Sequence, residues 1–220
     1  EIGEYLESIG EKKFRLQQIW EWLWEKHAFD FQSMSNLSKD LRTKLEEKFS
    51  FPSLSVDTTQ YSEDGTVKSR FKTYDGHKVE GVLIPTEERL TACVSSQIGC
   101  SLSCKFCATG YMDRKRNLDA AEIYDQVFIL NEEAISNFGK PLSNIVYMGM
   151  GEPLYNFENV RDAMKIAMDP EGICLSRRRI TLSTSGVVPE IAKTAEEIGC
   201  LLAVSFHATT DEVRDKLVPI

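Results

Sequence analysis

Three cysteines, Cys100, Cys104 and Cys107, fall in a Cys-x3-Cys-x2-Cys spacing, with Phe106 before the last of them. That spacing suits three corners of a cubane iron–sulfur cluster, whose four irons ordinarily take four thiolates. No fourth cysteine or histidine stands beside the triplet; the histidines are His27, His77 and His207. One iron is then left open, and an open iron is a position for substrate. A structural zinc site would want a closed set of four ligands, usually as two spaced pairs, which this segment lacks.

The chemistry that uses such an iron is reductive cleavage of S-adenosylmethionine (SAM), whose amino and carboxylate groups can chelate it. The expected cofactors are therefore a 4Fe–4S cluster and SAM. The rest of the chain is compatible with that reading. Its 220 residues can bury one good core plus a small appended unit. No apolar run is long enough to span a bilayer, and no signal peptide opens the sequence. Six cysteines, three of them committed to a cluster, fit a reducing compartment better than a disulfide scaffold. The expected location is the cytoplasm, with no membrane partner. A net charge of −8 argues against a broadly basic nucleic-acid surface. Three local basic patches remain: Lys12, Lys13 and Arg15; Arg114, Lys115 and Arg116; and Arg177, Arg178 and Arg179. Any one of them can be a solvated face.

Residues 1–50 read as helical. Phe14, Ile19, Leu23 and Trp24 place apolar side chains on one helix face. Asn36, Leu37 and Ser38 precede Leu41 and Leu45 as a capped second helix, and Pro52 punctuates the end. Residues 51–89 change period: Thr66–Tyr74 and Lys78–Pro85 flank Asp75–Gly76, which suits the tight turn of a β-hairpin. From about residue 90, strands at 90–95, 144–148, 179–183 and 201–205 alternate with helices at 119–134, 160–168 and 188–198. Asp119 and Glu122 form a capping-box pattern at the first of these helices. Such alternation implies an α/β fold with a parallel sheet. About four βα units are visible, fewer than a closed eightfold barrel requires. The expectation is a partial barrel over 90–220, preceded by a helical domain over 1–50 and a hairpin extension over 51–89. The chain opens without methionine and stops at Ile220, so it is expected to be a piece of a longer protein.

Several motifs narrow this further: Cys93–Gln97 leading to Gly99–Cys100, Lys115–Leu118, Gly149–Pro153, Leu182–Gly186 and Ser205–Ala208. In this order they resemble the RlmN/Cfr family of radical SAM RNA methyltransferases, and the likeness is nearest the RlmN branch. The resemblance implies a partial (βα)6-type barrel and methylation of adenosine carbon 2 in 23S rRNA and in tRNA through a methyl-cysteine. It implies SAM binding by Gly151, Glu152, Ser183, Ser205, Phe206 and His207. Cys93 is implied as the redox cysteine that resolves an enzyme–RNA adduct, and Glu80 as the proton acceptor. That second role calls for a carboxylate in a dry site. The family's methyl-carrying cysteine is expected beyond residue 220, since Cys174 and Cys200 do not match its context. Implied partners are 23S rRNA, tRNA and an electron donor such as flavodoxin or ferredoxin, with the protein acting as a monomer. Two alternatives stay open: Cfr-like carbon-8 specificity, and a non-catalytic iron–sulfur RNA-binding module.

Overall fold

The computed structural model describes every residue except Glu1, Glu25, His27, Phe29, Pro52, Ser53 and Glu171; the readings placed on His27 and Pro52 lie outside the described residues. The chain divides into two compact units, residues 1–52 with 170–173, and residues 53–169 with 174–220.

The first unit holds three helices: α1 (Ile2–Ser8), α2 (Phe14–Trp24) and α3 (Lys39–Lys48). Ser38 caps α3, its hydroxyl accepting the Leu41 N–H at 3.2 Å. Leu6, Ile19, Phe31, Met34, Leu37, Leu41 and Leu45 form the core. Of the stripe expected on α2, Ile19 is buried whereas Phe14, at the first position of the helix, is 51% exposed.

The second unit is built on a seven-stranded sheet. Its strands are β1 (Ser55–Tyr61), β2 (Val67–Lys72), β3 (Lys78–Pro85) and β4 (Leu90–Cys93). A two-residue pair, β5 (Gln97–Ile98) and β6 (Arg116–Asn117), brackets the cysteine loop. Then come α4 (Ala120–Phe138), β7 (Asn144–Tyr147), α5 (Phe157–Met168), β8 (Ile180–Thr184), α6 (Val188–Glu197), β9 (Leu201–Val204) and α7 (Asp211–Leu217). The sheet order is β1-β2-β3-β4-β7-β8-β9. Pairing is antiparallel from β1 to β4 and parallel from β4 onward. The expected hairpin is therefore part of a longer antiparallel run whose strands continue the barrel sheet. Ser55–Tyr61 escaped detection because its side chains are almost all exposed and leave no alternation to read.

Burial alternates along β2, β3, β4, β7 and β8, as a sheet with one covered face requires. Val79, Leu83, Ala92, Ile145, Ile180 and Leu182 lie on the covered face, where α4 packs on β3 and β4 and also on α5. Gly81 has no side chain because a Cβ would stand 2.7 Å from the Phe71 ring and 3.2 Å from Leu130. The capping box of α4 is complete: Asp119 accepts the Glu122 N–H, and Glu122 accepts the Asp119 N–H. The first barrel strand stops at Cys93, earlier than expected. The Gln126 side chain instead takes both the N–H and the C=O of Ser95, drawing the backbone out of the ladder.

Candidate functional site: a thiol-lined cavity at the strand ends

Along the parallel part of the sheet, the loops after β4, β7, β8 and β9 emerge on one side, as connections from parallel strands must. They enclose a cavity of about 310 Å³. Cys100, Cys104 and Cys107 line it together with Gly151, Glu152, Ser183, Ser205 and His207. Ordinary backbone packing shapes the cysteine loop. The Cys107 N–H reaches the Cys104 carbonyl at 3.2 Å, and Gly110 N–H reaches that of Cys107 at 3.0 Å. A Cβ on Gly110 would stand 2.6 Å from the Cys104 carbonyl oxygen, so the loop closes only around glycine. Leu102 and Cys104 pack on Val218 beside α7, and Lys105 N–H donates to the Leu217 carbonyl.

All three thiols are free, and Cys104 is buried. Burial pushes the Cys100 thiol up, and Cys104, Glu152 and Cys107 push it the same way; the Leu102 N–H, 3.4 Å from its sulfur, opposes them. No lysine or arginine is among the described residues lining the cavity. Among the described residues no set of His, Cys, Asp or Glu is drawn together as for one metal ion. A cubane spreads its thiolates over separate irons, so three thiols facing one cavity fit a cluster better than a single ion. The positive charge that would keep them ionised must come from what binds there.

Glu152 is buried and already engaged. Its carboxylate accepts the N–H groups of Ser185 at 2.7 Å and Leu154 at 3.1 Å, while its own N–H donates to Gln97 Oε1 at 2.9 Å. Gly151, at φ +95°, must be glycine: a Cβ would stand 2.5 Å from the Gln97 side chain. His207 also has a positive φ, +55°, and its ring stacks on Phe106 with centroids 3.9 Å apart. Phe206 is 62% exposed and is not among the lining residues, so of the motif at the end of β9 only Ser205 and His207 face the cavity. The reason is local: successive residues leaving a strand point to opposite sides.

Glu80 and Cys93 lie outside that cavity but share a surface. Val82 pairs with Cys93 across the β3–β4 ladder, and side chains alternate, so Glu80, Val82 and Cys93 share the open face of the sheet. Glu80 and Cys93 are diagonal neighbours, a relation that spans about 7–8 Å between Cα atoms. Burial pushes the Cys93 thiol up, against the Met148 N–H. Glu80 is not in a dry site within this chain: its side chain is 43% exposed and pairs with Lys68 at 2.8 Å.

Sequence reasoning missed the polar residues that assemble the site. Ser95 Oγ donates to the Glu80 carbonyl at 2.6 Å and accepts the Met150 N–H at 2.9 Å. Gln97 joins the Glu152 turn to Asn117, Asn156 ties the Ser96 and Leu118 carbonyls together, and Arg214 holds the carbonyls of Ser185 and Ser205. The available signal was amide and hydroxyl residues flanking glycines at strand ends. Of the basic patches, Arg116 is consumed internally, clamped between Asp75 and buried Glu122.

Comparisons with known proteins agree with this geometry. Residues 1–50 match the ribosomal RNA large subunit methyltransferase N-terminal domain. The chain is 58% identical, over 100% of its own length and 59% of the relative's, to the dual-specificity RNA methyltransferase RlmN of Dinoroseobacter shibae. It is 62% identical to the protein of that name from Roseobacter denitrificans, over 94% of this chain and 55% of the relative. The chain thus spans little more than half the length of these curated relatives. The crystal structure of a radical SAM methyltransferase from Sphaerobacter thermophilus superposes with a TM-score of 0.90 at 41% identity, covering 100% of this chain and 64% of that one. Residues 94–219, more than half of the chain and the whole of the cavity described above, match the radical SAM superfamily, and the chain belongs to it.

Proposed function

We propose that this chain is the cluster- and SAM-binding part of an enzyme that methylates carbon 2 of adenosine in 23S rRNA and in tRNA through a methyl-cysteine. The observation that carries the reading is the single cavity where three cysteine thiols meet Glu152 and the strand-end serines. The similarity to proteins named RlmN supports the substrate assignment.

Cys100, Cys104 and Cys107 would hold a 4Fe–4S cluster. When bound, the cluster supplies the electron that cleaves SAM reductively. Glu152 has two of its roughly four lone-pair positions filled by N–H groups, which leaves acceptor capacity for the amino group of SAM. The acid and thiol lining of the cavity complements the sulfonium and ammonium charges of SAM. Ser183 and Ser205 offer hydroxyls, and the His207 ring, held on Phe106, offers a wall. Glu80 removes the proton from carbon 2. Cys93 then resolves the adduct: its sulfur bonds to the sulfur of the methyl-carrying cysteine, the carbon–sulfur bond breaks with its electron pair on carbon, and a proton completes the methyl group. By the same likeness the carrier thiol lies outside these residues; neither Cys174 nor Cys200 lines the cavity. A flavodoxin or ferredoxin would supply electrons to a monomeric, cytoplasmic protein. No helix among the described residues is long and apolar enough to cross a membrane.

The test is to load the full-length protein anaerobically with iron and sulfide, then supply labelled SAM, reductant, 23S rRNA and tRNA. Label recovered as 2-methyladenosine is the expected result. Label on carbon 8, or no 5′-deoxyadenosine at all, overturns the reading.

A further inference from the structure

The β2–β3 hairpin overhangs the strand beside it. Val82 pairs with Cys93, the last residue of β4. β3 begins earlier, at Lys78, about 13 Å beyond that pair. The overhang runs to the side where the cavity opens, because the loop leaving β4 carries the three cysteines that line it. Two backbone bonds of 2.9 Å close the turn at the tip, Thr73 N–H to the His77 carbonyl and Gly76 N–H to the Thr73 carbonyl. Arg116 anchors it, donating to the Asp75 carboxylate at 2.7 Å while buried Glu122 accepts from the same guanidinium. Two features of this tip serve no contact within the described residues. Tyr74 is 68% exposed, yet its ring is supported, with the Arg116 guanidinium carbon 5.0 Å from its centroid. Lys72 and Lys78 are both exposed and stand directly opposite each other across the ladder, a like-charge pairing that weakens a sheet. Asp57 offsets Lys78 at 3.1 Å, but Lys72 has no ion pair among the described residues.

We infer that the tip of this hairpin is a docking surface for a single-stranded stretch of RNA, with a base stacked on Tyr74 and phosphates on Lys72 and Lys78. The inference rests on the reading that the enzyme methylates adenosine in RNA. The lysine row lies next to the Arg70–Glu80 row on the same open face, two residues or about 7 Å along the strands. An RNA chain that brings its adenosine to Glu80 has its neighbouring nucleotides within reach of that row. Stacking accepts any base, and phosphate contacts carry no sequence information. One such surface therefore serves two different RNA substrates. The ring is already held by Arg116, so binding orders little that is not ordered beforehand. In a chain with a net charge of −8, attraction for RNA has to come from local groups of this kind.

The experiment uses the full-length, cluster-loaded enzyme and unmodified tRNA. It reads binding by fluorescence anisotropy across a salt series, beside methylation kinetics. Tyr74→Ala should weaken binding by about five- to a hundredfold, and Tyr74→Phe, which keeps the ring, should match the parent. Lys72→Gln combined with Lys78→Gln should weaken binding and lower the slope of log affinity against log salt by about 1.4. The KM for RNA should rise in step, while kcat and the yield of methyl-cysteine formed without RNA stay near the parent's. Lys140→Gln removes a charge ahead of β7, at the opposite ends of the strands, and should leave binding unchanged. Unaltered binding and salt slope in the hairpin variants overturn the inference, as does an equal loss from Lys140→Gln. So does a loss seen with flavodoxin as reductant and absent with dithionite, which makes the tip a contact for the electron donor. These outcomes leave the methylation reading standing. A parent that binds RNA through the tip yet forms no 2-methyladenosine sinks that reading alone.

Discussion

Single residues in this chain separate into those that face the cavity and those that shape it from behind, and the second group includes one titrating inside the neutral range. Asp125, on α4, is pushed up to about 7, first by burial and then by the charges of Asp119 and Glu122, against the Leu54 N–H that it accepts at 3.1 Å. Between about pH 4 and pH 7 the folded protein keeps a proton that the unfolded chain has lost. Stability from this group therefore falls as pH rises through that window and is level above it. Asp125→Asn keeps an acceptor for Leu54 and removes the charge. It should stabilise the protein by about 1–2 kcal/mol at pH 8, well under the full shift because the residue is partly exposed, and by roughly a third of that at pH 5. Denaturant midpoints at the two pH values check this; an equal effect at both would show that charge is not the cause. Glu152 illustrates the opposite case, a buried carboxylate held in place by two backbone N–H groups while acceptor positions remain for a ligand.

Elements meet the site through two close fits. The cysteine loop turns back on itself at Gly110, where an added methyl group would press on the Cys104 carbonyl. Gly110→Ala should lower the iron and sulfide content of the reconstituted protein although all three thiols remain. Gly76→Ala strains its own hairpin turn, at φ +83°, but meets no atom within 4 Å and should leave the loading unchanged. Metal and sulfide analysis decides; full loading of Gly110→Ala would show that the loop tolerates a wider path. The second fit is the Arg116 clamp joining the β2–β3 turn to the first turn of α4. Asp75 is held well below the usual carboxylate range by the Arg116 guanidinium, and Glu122 is only 1% exposed. Arg116→Met leaves that acid buried and unpaired, at a cost of about 3 kcal/mol. Adding Glu122→Gln should recover part of the loss, and unfolding curves that place Arg116→Met within about 1 kcal/mol of the parent would refute the clamp.

At the scale of the molecule, the sheet has two ends of different character. Tyr61 and its neighbours on β1 present mostly polar, exposed side chains. At the other end β9 leaves Leu201, Leu202 and Val204 exposed by 51%, 39% and 49%, and it pairs only with β8 among the described strands. Unpaired strand edges that carry apolar side chains associate. The 220-residue chain should self-associate at micromolar concentration, and Leu202→Lys with Val204→Lys should reduce that association. Light scattering against concentration measures it; scattering unchanged by the two lysines would place the sticky surface elsewhere.

Much of this protein could be read from its sequence because the relevant forces are local. The cysteine spacing places three thiols on one loop wherever that loop lies, the Asp119–Glu122 pair starts a helix by its own hydrogen bonds, and the alternation of β3 marks its covered face. The glycines of Gly149–Gly151 announced a tight approach without naming the partner. What only the tertiary structure decided is which groups meet across long separations in the chain. Gln97 lies 55 residues from Glu152 and Gln126 lies 31 from Ser95, and no periodicity links them. The same holds for the open face, where register alone sets Glu80 diagonal to Cys93 while their strands each look like half-exposed β-structure. Local propensity can specify an element, but pairing register and crossed hydrogen bonds depend on the order in which strands lie side by side, and that order is set by the packing of the whole sheet.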